Sequence, residues 1–104
     1  ARVEKKAVMF DVAAEWCIEC KRMDANAFST PAVIRALAQT VTLRVDVTED
    51  NANDKEFQKA LRIVAPPTIL FLGSDGLESA EHRVTGYTSA HRFLDHIIKF
   101  QKAL

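Results

Sequence analysis

Residues 10–21 read FDVAAEWCIECK and hold the only two cysteines of the chain, Cys17 and Cys20. Residues 7–14 are mostly apolar and form a short stretch, which predicts a buried β-strand. Residues 17–27 contain neither glycine nor proline, and they read as a helix. The Cys-x-x-Cys pair is therefore predicted to lie where a strand ends and a helix begins.

The rest of the chain predicts strands and helices in alternation, followed by a hairpin. Residues 41–47 alternate strictly between apolar and polar side chains, which predicts a second strand. Residues 68–73, TILFLG, are a continuous apolar run, and residues 82–87, HRVTGY, are close enough to pair with it. The predicted order, β-α-β-α-β-β-α, is an α/β fold with a mixed four-stranded sheet and helices on both faces, in one domain over residues 1–104.

Three further helices complete the predicted fold. Ser29 or Thr30 can cap the first of them ahead of Pro31, because proline suits the first helical position. Thr88 or Ser89 can cap the last. The apolar residues expected to face the core in these helices are Ile34, Leu37, Ala38, Phe57, Ala60, Leu61, Val64, Phe93, Leu94, Ile97, Ile98 and Leu104.

The composition argues against several classes of function. The chain has 14 basic and 14 acidic side chains, so no basic surplus favours nucleic acid as a partner. The longest apolar runs are too short to cross a bilayer. Nothing in the sequence indicates a stable oligomer, and we expect a monomeric domain.

The predicted position of the cysteine pair is chemically informative. A helix N-terminus carries unpaired N–H groups and a partial positive charge, which stabilise a thiolate, the form of cysteine that attacks disulfides. Cys17 is expected at the tip of the helix, and Cys20 lies three residues further along the same face. We therefore expect a redox centre in which Cys17 is the exposed nucleophile and Cys20 is the buried thiol that resolves the mixed disulfide.

Two alternatives to a redox centre stay open at this point. A zinc site needs four ligands, and only three histidines, His82, His91 and His96, could complete one. His91 and His96 lie roughly 140° apart around their predicted helix, so they do not face one ion together. The cysteines could also be inert, in which case Trp16 beside them would be a coincidence. We expect no metal and no cofactor other than the redox-active pair.

Two acidic residues are expected close to the cysteines. Asp11 lies in an otherwise apolar strand, so we expect its carboxyl to be buried beneath the pair, with its pKa raised by desolvation. It could then act as general base and acid for Cys20. Asp24 follows Cys20 by four residues and projects from the same side of the helix. The alternatives are a structural pair between Asp11 and Arg44, and a solvated surface role for Asp24.

Glu19 lies between the two cysteines and bears on the direction of electron transfer. Negative charge destabilises a thiolate and hence the reduced form, so acidic surroundings favour a reductant. Lys21 and Arg22 oppose this effect, but we expect both to point into water. The pair is therefore predicted to give electrons away.

Two prolines precede the third predicted strand. A proline that heads a buried strand is confined to its first position, and Pro67, ahead of Thr68, is a candidate for a cis peptide bond. A cis bond there would place the turn beside the disulfide. Its neighbour Pro66 has no N–H group to offer to a binding partner.

Together, FDVAAEWCIECK, the Pro-Thr pair and the element order resemble the thioredoxin family over nearly the whole chain, apart from that family's extra N-terminal strand and helix. The resemblance implies that Cys17 is the nucleophile and Cys20 the resolving cysteine. It also implies that Pro67 is the cis-proline and that Asp11 is the buried acid beneath the site.

A closer resemblance is to the C-terminal periplasmic domains of the DsbD family of thiol:disulfide interchange proteins. The segments that show this resemblance are VMFDVAAEWCIECKRMD at 8–24, AFSTPAV at 27–33, VDVTEDN at 45–51, PPTILFLGSDG at 66–76 and RVTGY at 83–87. By this resemblance, Asp11 and Asp24 lie at the family's two acidic positions, the second of which is more often glutamate. Pro66 departs from the pattern, because the residue before the cis-proline usually offers both N–H and C=O to a partner.

The DsbD resemblance implies an electron shuttle in the periplasm, as one domain of a larger inner-membrane protein. Electrons would pass from a membrane-embedded DsbD-type cysteine pair to this domain, and from it to an N-terminal immunoglobulin-like periplasmic domain. The alternatives are a stand-alone thioredoxin, another tethered periplasmic reductase, or a binding module whose cysteine pair is structural.

Overall fold

A four-stranded mixed sheet organises residues 6–104, which are the residues described by the computed structural model. The strands are β1 (Val8–Ala13), β2 (Val41–Asp46), β3 (Thr68–Leu72) and β4 (Val84–Thr85), in the order β2-β1-β3-β4. β1 and β2 are parallel, whereas β3 is antiparallel to β1 and to β4. The predicted mixed sheet and hairpin are confirmed. The first five residues of the predicted 1–104 domain lie outside the described part.

Within residues 6–104, four α-helices cover the sheet on both faces. They are α1 (Ile18–Met23), α2 (Pro31–Ala36), α3 (Ala52–Ala60) and α4 (Ala90–Lys102). In β3, Ile69 and Phe71 pack in a cluster with residues of α4, which we call the α4 face. Leu70 and Leu72 point the other way and pack with residues of α3 and with both cysteines, on the α3 face.

The helix that follows the cysteines changes its winding halfway. α1 ends at Met23, and a π-helical turn, Asp24–Phe28, continues it. The hydroxyls of Ser29 and Thr30 donate to carbonyls four residues earlier, at 2.6 and 3.0 Å. Such side-chain bonds compete with the regular helical ladder. The predicted helix over 17–27 is therefore present, but only its first part is α-helical.

The inward stripe predicted for α3 is wrong at its end. α3 stops at Ala60, which is exposed, and Arg62 has a φ of 58°. This left-handed residue turns the chain, so Ile63 enters the core and Val64 is 93% exposed. The helical period therefore does not extend to Val64.

The inward stripes of α2 and α4 also differ from prediction. α2 contacts α4 and the π-helical turn, and its buried residue is Val33 rather than the neighbouring Ile34. α4 begins after its predicted cap Ser89 and buries Phe100 in addition to two predicted residues, Phe93 and Ile97. The residues expected inward but found exposed are Ile34, Ala38, Ile98 and Leu104.

The fourth strand is shorter than the predicted 82–87. A 3₁₀ turn, Ala80–His82, precedes it, and Gly86 ends it with a φ of 83° that suits glycine. The Gly86 N–H donates to the Pro67 carbonyl at 2.9 Å. This bond fixes the backbone directly before β3, where the two prolines lie.

Candidate active site

Cys17 and Cys20 form a disulfide just after β1, with their Cα atoms 5.2 Å apart. The Cys17 N–H donates to the Ala14 carbonyl at 3.1 Å and closes the turn between strand and helix. Cys17 is the N-cap of α1, and its Sγ accepts the Cys20 N–H at 3.1 Å. The predicted junction is confirmed, and the sulfur that would carry negative charge already faces a donor at the start of the helix.

Both cysteines are buried, so the expectation that Cys17 is exposed is wrong for the disulfide form. Each is 5% exposed, and both pack against Val12 and its neighbours on the α3 face. In this state burial does not distinguish the two residues. What distinguishes them is that the sulfur of Cys17 caps α1.

Trp16 is exposed but fixed in place. Its side chain is among the exposed large hydrophobic residues, and Nε1–H donates to the Thr48 carbonyl at 2.8 Å. The Thr48 hydroxyl accepts the Glu15 N–H at 2.9 Å and donates to Asp46. The hydroxyl and the backbone N–H of Thr48, which both donate to Asp46, hold the pKa of Asp46 below its usual value. Sequence reasoning missed Thr48, although an aspartate two residues earlier is a recognisable turn signal.

Arg44 brings the two predicted acids together. Asp11 and Arg44 face each other across the parallel strands β1 and β2. Arg44 Nε and Nη2 donate to Asp11 Oδ2 at 3.1 and 2.8 Å. Arg44 Nη1 and Nη2 donate to the two oxygens of Asp24, at 3.2 and 2.5 Å. Asp24 is thus ion-paired with Arg44, while its side chain is still 45% exposed.

The charges of this cluster are set by burial and by pairing. Asp11 is 6% exposed, and burial raises its pKa, while Arg44 opposes the rise and the charge of Asp24 adds to it. The hydrogen bond to Asp24 and the neighbouring Asp11 raise the pKa of Arg44, which stays charged. The predicted burial of Asp11 is confirmed, and so is its alternative pairing with Arg44.

A crevice of about 160 Å³ connects this cluster with Cys20. Cys20, Asp24 and Arg44 all line it, whereas Asp11 meets it through Arg44. The other charged residues on its walls are Glu15, Lys21 and Asp46. Asp24, Arg44 and Cys20 therefore share one open crevice, and Asp11 adjoins it through its ion pair with Arg44.

Glu19 is not a free negative charge, in contrast to the prediction. Arg22, three residues later, donates to both of its oxygens at 3.0 and 3.2 Å. The guanidinium of Arg22 also lies over the ring of Tyr87, 4.0 Å from its centroid. Lys21 and Arg22 are exposed as expected, but Arg22 compensates Glu19. Glu19 therefore contributes less uncompensated charge than predicted, whereas Asp11 and Asp24 are two carboxylates that share one cation.

The two prolines lie beside the sheet residues that carry the site. The Pro66–Pro67 peptide bond is cis, in agreement with the candidate named from the sequence. Thr68, which follows it, is paired with Val12, and Val12 packs with both cysteines. Pro67 is buried and Pro66 is half-buried.

Neither a metal cluster nor a membrane-spanning helix is found between residues 6 and 104. No group of three or more His, Cys, Asp or Glu side chains in this range is arranged to hold a metal ion. No helix in it is long and apolar enough to cross a bilayer.

Sequence comparisons point to one group of proteins. The thioredoxin-like domain family matches residues 1–101. The thiol:disulfide interchange protein DsbD of Klebsiella pneumoniae is 41% identical over 97% of this chain, and DsbD of Pseudomonas fluorescens is 37% identical over 99%. The chain spans only 17% and 18% of the length of these two relatives.

Solved structures agree with the sequence comparisons. The reduced C-terminal domain of Neisseria meningitidis DsbD matches with a TM-score of 0.74 and 28% identity, over 90% of this chain and 80% of that one. A thioredoxin from Thermus thermophilus matches with a TM-score of 0.80 and 28% identity, over 96% of this chain and 77% of that one. The predicted fold is confirmed by these matches.

Proposed function

Because the chain belongs to the thioredoxin-like family, we propose that it is a thiol:disulfide oxidoreductase that reduces protein disulfides through Cys17 and Cys20. The main support is a Cys-x-x-Cys disulfide in which the Cys17 sulfur caps a helix and accepts a backbone N–H at 3.1 Å. Such a donor stabilises the thiolate. Two relatives that align with almost the whole chain are named thiol:disulfide interchange proteins.

The reaction starts from the reduced pair. The Cys17 thiolate attacks one sulfur of a partner's disulfide, a mixed disulfide forms, and the partner's other sulfur leaves as a thiolate that takes up a proton. Cys20 then loses its proton and attacks the Cys17 sulfur, which releases the partner's second sulfur as a thiolate. Two electrons have then moved to the partner, and the Cys17–Cys20 disulfide remains. No cofactor takes part.

In this scheme Asp11 accepts the proton of Cys20 and returns it in the reverse direction. The buried carboxyl suits this role because burial raises its pKa toward the working range of a proton acceptor. Trp16 and the prolines Pro66 and Pro67 shape the surface that a partner's disulfide approaches. Pro66 can offer its carbonyl there but no N–H.

We further propose that the domain works as the reductant of a DsbD-type chain in the periplasm, within a larger inner-membrane protein. Electrons would arrive from a membrane-embedded cysteine pair and leave to an N-terminal immunoglobulin-like domain. This scheme is supported by the identity of 41% and 37% to two DsbD proteins and by two carboxylates that share one cation, Arg44, which lines a crevice with Cys20. The similarity to the Thermus thioredoxin favours a stand-alone thioredoxin as the second candidate.

We expect the Cys20→Ser variant to accumulate a mixed disulfide, because the thiol that resolves it is missing. The reduced variant is mixed with an oxidised immunoglobulin-like N-terminal domain of a DsbD protein, and the adduct is measured by non-reducing electrophoresis. The Cys17→Ser variant is the matched control and should form no adduct. If the wild-type protein reduces insulin disulfides but does not react with the DsbD domain, the DsbD-type scheme is overturned, while the proposed oxidoreductase activity stands.

We expect Asp11→Asn to lower the apparent pKa of the Cys17 thiol in the reduced protein, because the amide removes a negative charge that opposes the thiolate. The measurement is the pH dependence of alkylation by iodoacetamide. Asp95→Asn is the control, since this exposed aspartate is paired with Lys99 on α4. An unaltered titration in Asp11→Asn would show that this carboxyl does not couple to the thiols.

A further inference from the structure

We propose that Arg44 is a positioning residue that holds Asp11 and Asp24 as one unit next to the crevice that Cys20 lines, and thereby sets the pH range in which the carboxylates exchange protons with the thiols. This role rests on the proposed function and extends it to a residue whose hydrogen bonds go to the two carboxylates. Arg44 does so from β2, a strand that contributes no cysteine to the site.

The hydrogen bonds of Arg44 leave little freedom for either carboxylate. One oxygen of Asp11 accepts from Nε and Nη2, while both oxygens of Asp24 accept from Nη1 and Nη2. Nη2 therefore serves both acids at once. Because a guanidinium is planar and rigid, this fork fixes the two carboxylates relative to each other.

The pairing also explains how the short side chain of Asp24 can act on the site. Its two oxygens are directed to Arg44, and both residues line the crevice with Cys20. Asp24 therefore influences the thiol through the shared guanidinium.

Arg44 differs from the other charged residues around the crevice in its hydrogen bonds to both carboxylates. The other charged residues on the crevice walls are Glu15, Lys21 and Asp46. Asp46 accepts hydrogen bonds from Thr48 and also feels the charge of Arg44, and Lys21 is exposed. Among the described residues, Arg44 is the cation that hydrogen-bonds to Asp11 and to Asp24, so two negative charges depend on one positive charge.

Removing Arg44 would change the protonation of the buried acid in a defined direction. Burial and the charge of Asp24 both raise the pKa of Asp11, and Arg44 is what lowers it. Without the cation, Asp11 would stay protonated to a higher pH and could accept the Cys20 proton only above that pH. The uncompensated carboxylates would also oppose thiolate formation once they ionise.

The test compares Arg44→Gln, Arg44→Lys and wild type in the exchange of the reduced protein with an oxidised DsbD N-terminal domain, followed at single turnover across pH. In Arg44→Gln, the pH at which the exchange rate reaches half its maximum on the acidic side of the profile should rise by about one pH unit or more. The pKa of the Cys17 thiol, read by alkylation, should also rise, opposite to Asp11→Asn. Arg44→Lys keeps the charge but loses the fork, so its shifts should be smaller.

The control is Lys99→Gln, which removes one ion-paired cation from α4, outside the crevice, and should leave the pH profile unchanged. A wild-type profile in folded Arg44→Gln would overturn the role of Arg44, while exchange by wild type would leave the proposed function standing. If Arg44→Gln does not fold, Arg44→Lys decides: a profile identical to wild type would overturn positioning by the fork. Lack of exchange by wild type itself would instead refute the proposed function.

Discussion

Cys17→Ser should reduce disulfide exchange to the uncatalysed background. A serine hydroxyl does not ionise near neutral pH and cannot form a disulfide, so no mixed disulfide can begin the reaction. Cys20 offers no replacement, because it is the Cys17 sulfur that caps α1 and accepts the Cys20 N–H. The measurement is single-turnover reduction of an oxidised protein substrate by the fully reduced variant.

The matched comparison is Cys20→Ser, which keeps the nucleophile. It should retain the first chemical step and lose only the release of the partner. Serine is a favourable N-cap residue, so Cys17→Ser should preserve the start of α1 and the loss should not come from misfolding. Near-normal exchange by Cys17→Ser would reverse the assigned order of the two cysteines.

The position of the cysteine pair could be predicted because its signals are local. A short apolar strand, a stretch without helix breakers and two cysteines three residues apart lie within 7–27. The resulting turn is closed by one backbone bond from Cys17 to Ala14. Local sequence therefore determined both the element boundary and the residue that caps it.

The carboxylate pair could be predicted only in part. The burial of Asp11 follows from its apolar neighbours, and Arg44 faces it once the strand register is known. The bond from Arg44 to Asp24 joins β2 to the start of the π-helical turn, across a tertiary contact that no periodicity describes. By contrast, the pairing of Glu19 with Arg22 follows from an i,i+3 spacing and was available from the sequence.

Errors in the predicted core have two physical origins. A periodic pattern of apolar residues predicts which side chains face the core only as far as the helix continues. α3 ends at Ala60, because Arg62 reverses the chain in a left-handed conformation. A non-glycine residue rarely adopts that conformation, so the sequence gives no warning. In α2, contact with α4 selects Val33 rather than Ile34 as the buried residue.

The second large effect is expected from Phe93→Ala, which should lower the free energy of unfolding by about 3–5 kcal/mol. Phe93 is fully buried on the α4 face. Its ring packs edge-on against Phe28 at 5.4 Å between centroids and lies 6.4 Å from the ring of Phe71. Truncation leaves a cavity between α4, β3 and the π-helical turn, which surrounding side chains can fill only partly.

Ile98→Ala is the matched control for Phe93→Ala because it lies on the same helix but is 39% exposed. Its cost should be well below that of Phe93→Ala, since much of the side chain is already in water. Urea unfolding of both variants, with the disulfide intact, measures the difference, and equal losses would contradict the assigned inward face of α4.

Because Phe28 ends the π-helical turn that begins at Asp24, Phe93→Ala should also loosen the element that carries this acid. A shift in the pH profile of exchange toward that of Arg44→Gln would then show that packing on the α4 face helps to hold Asp24 against Arg44.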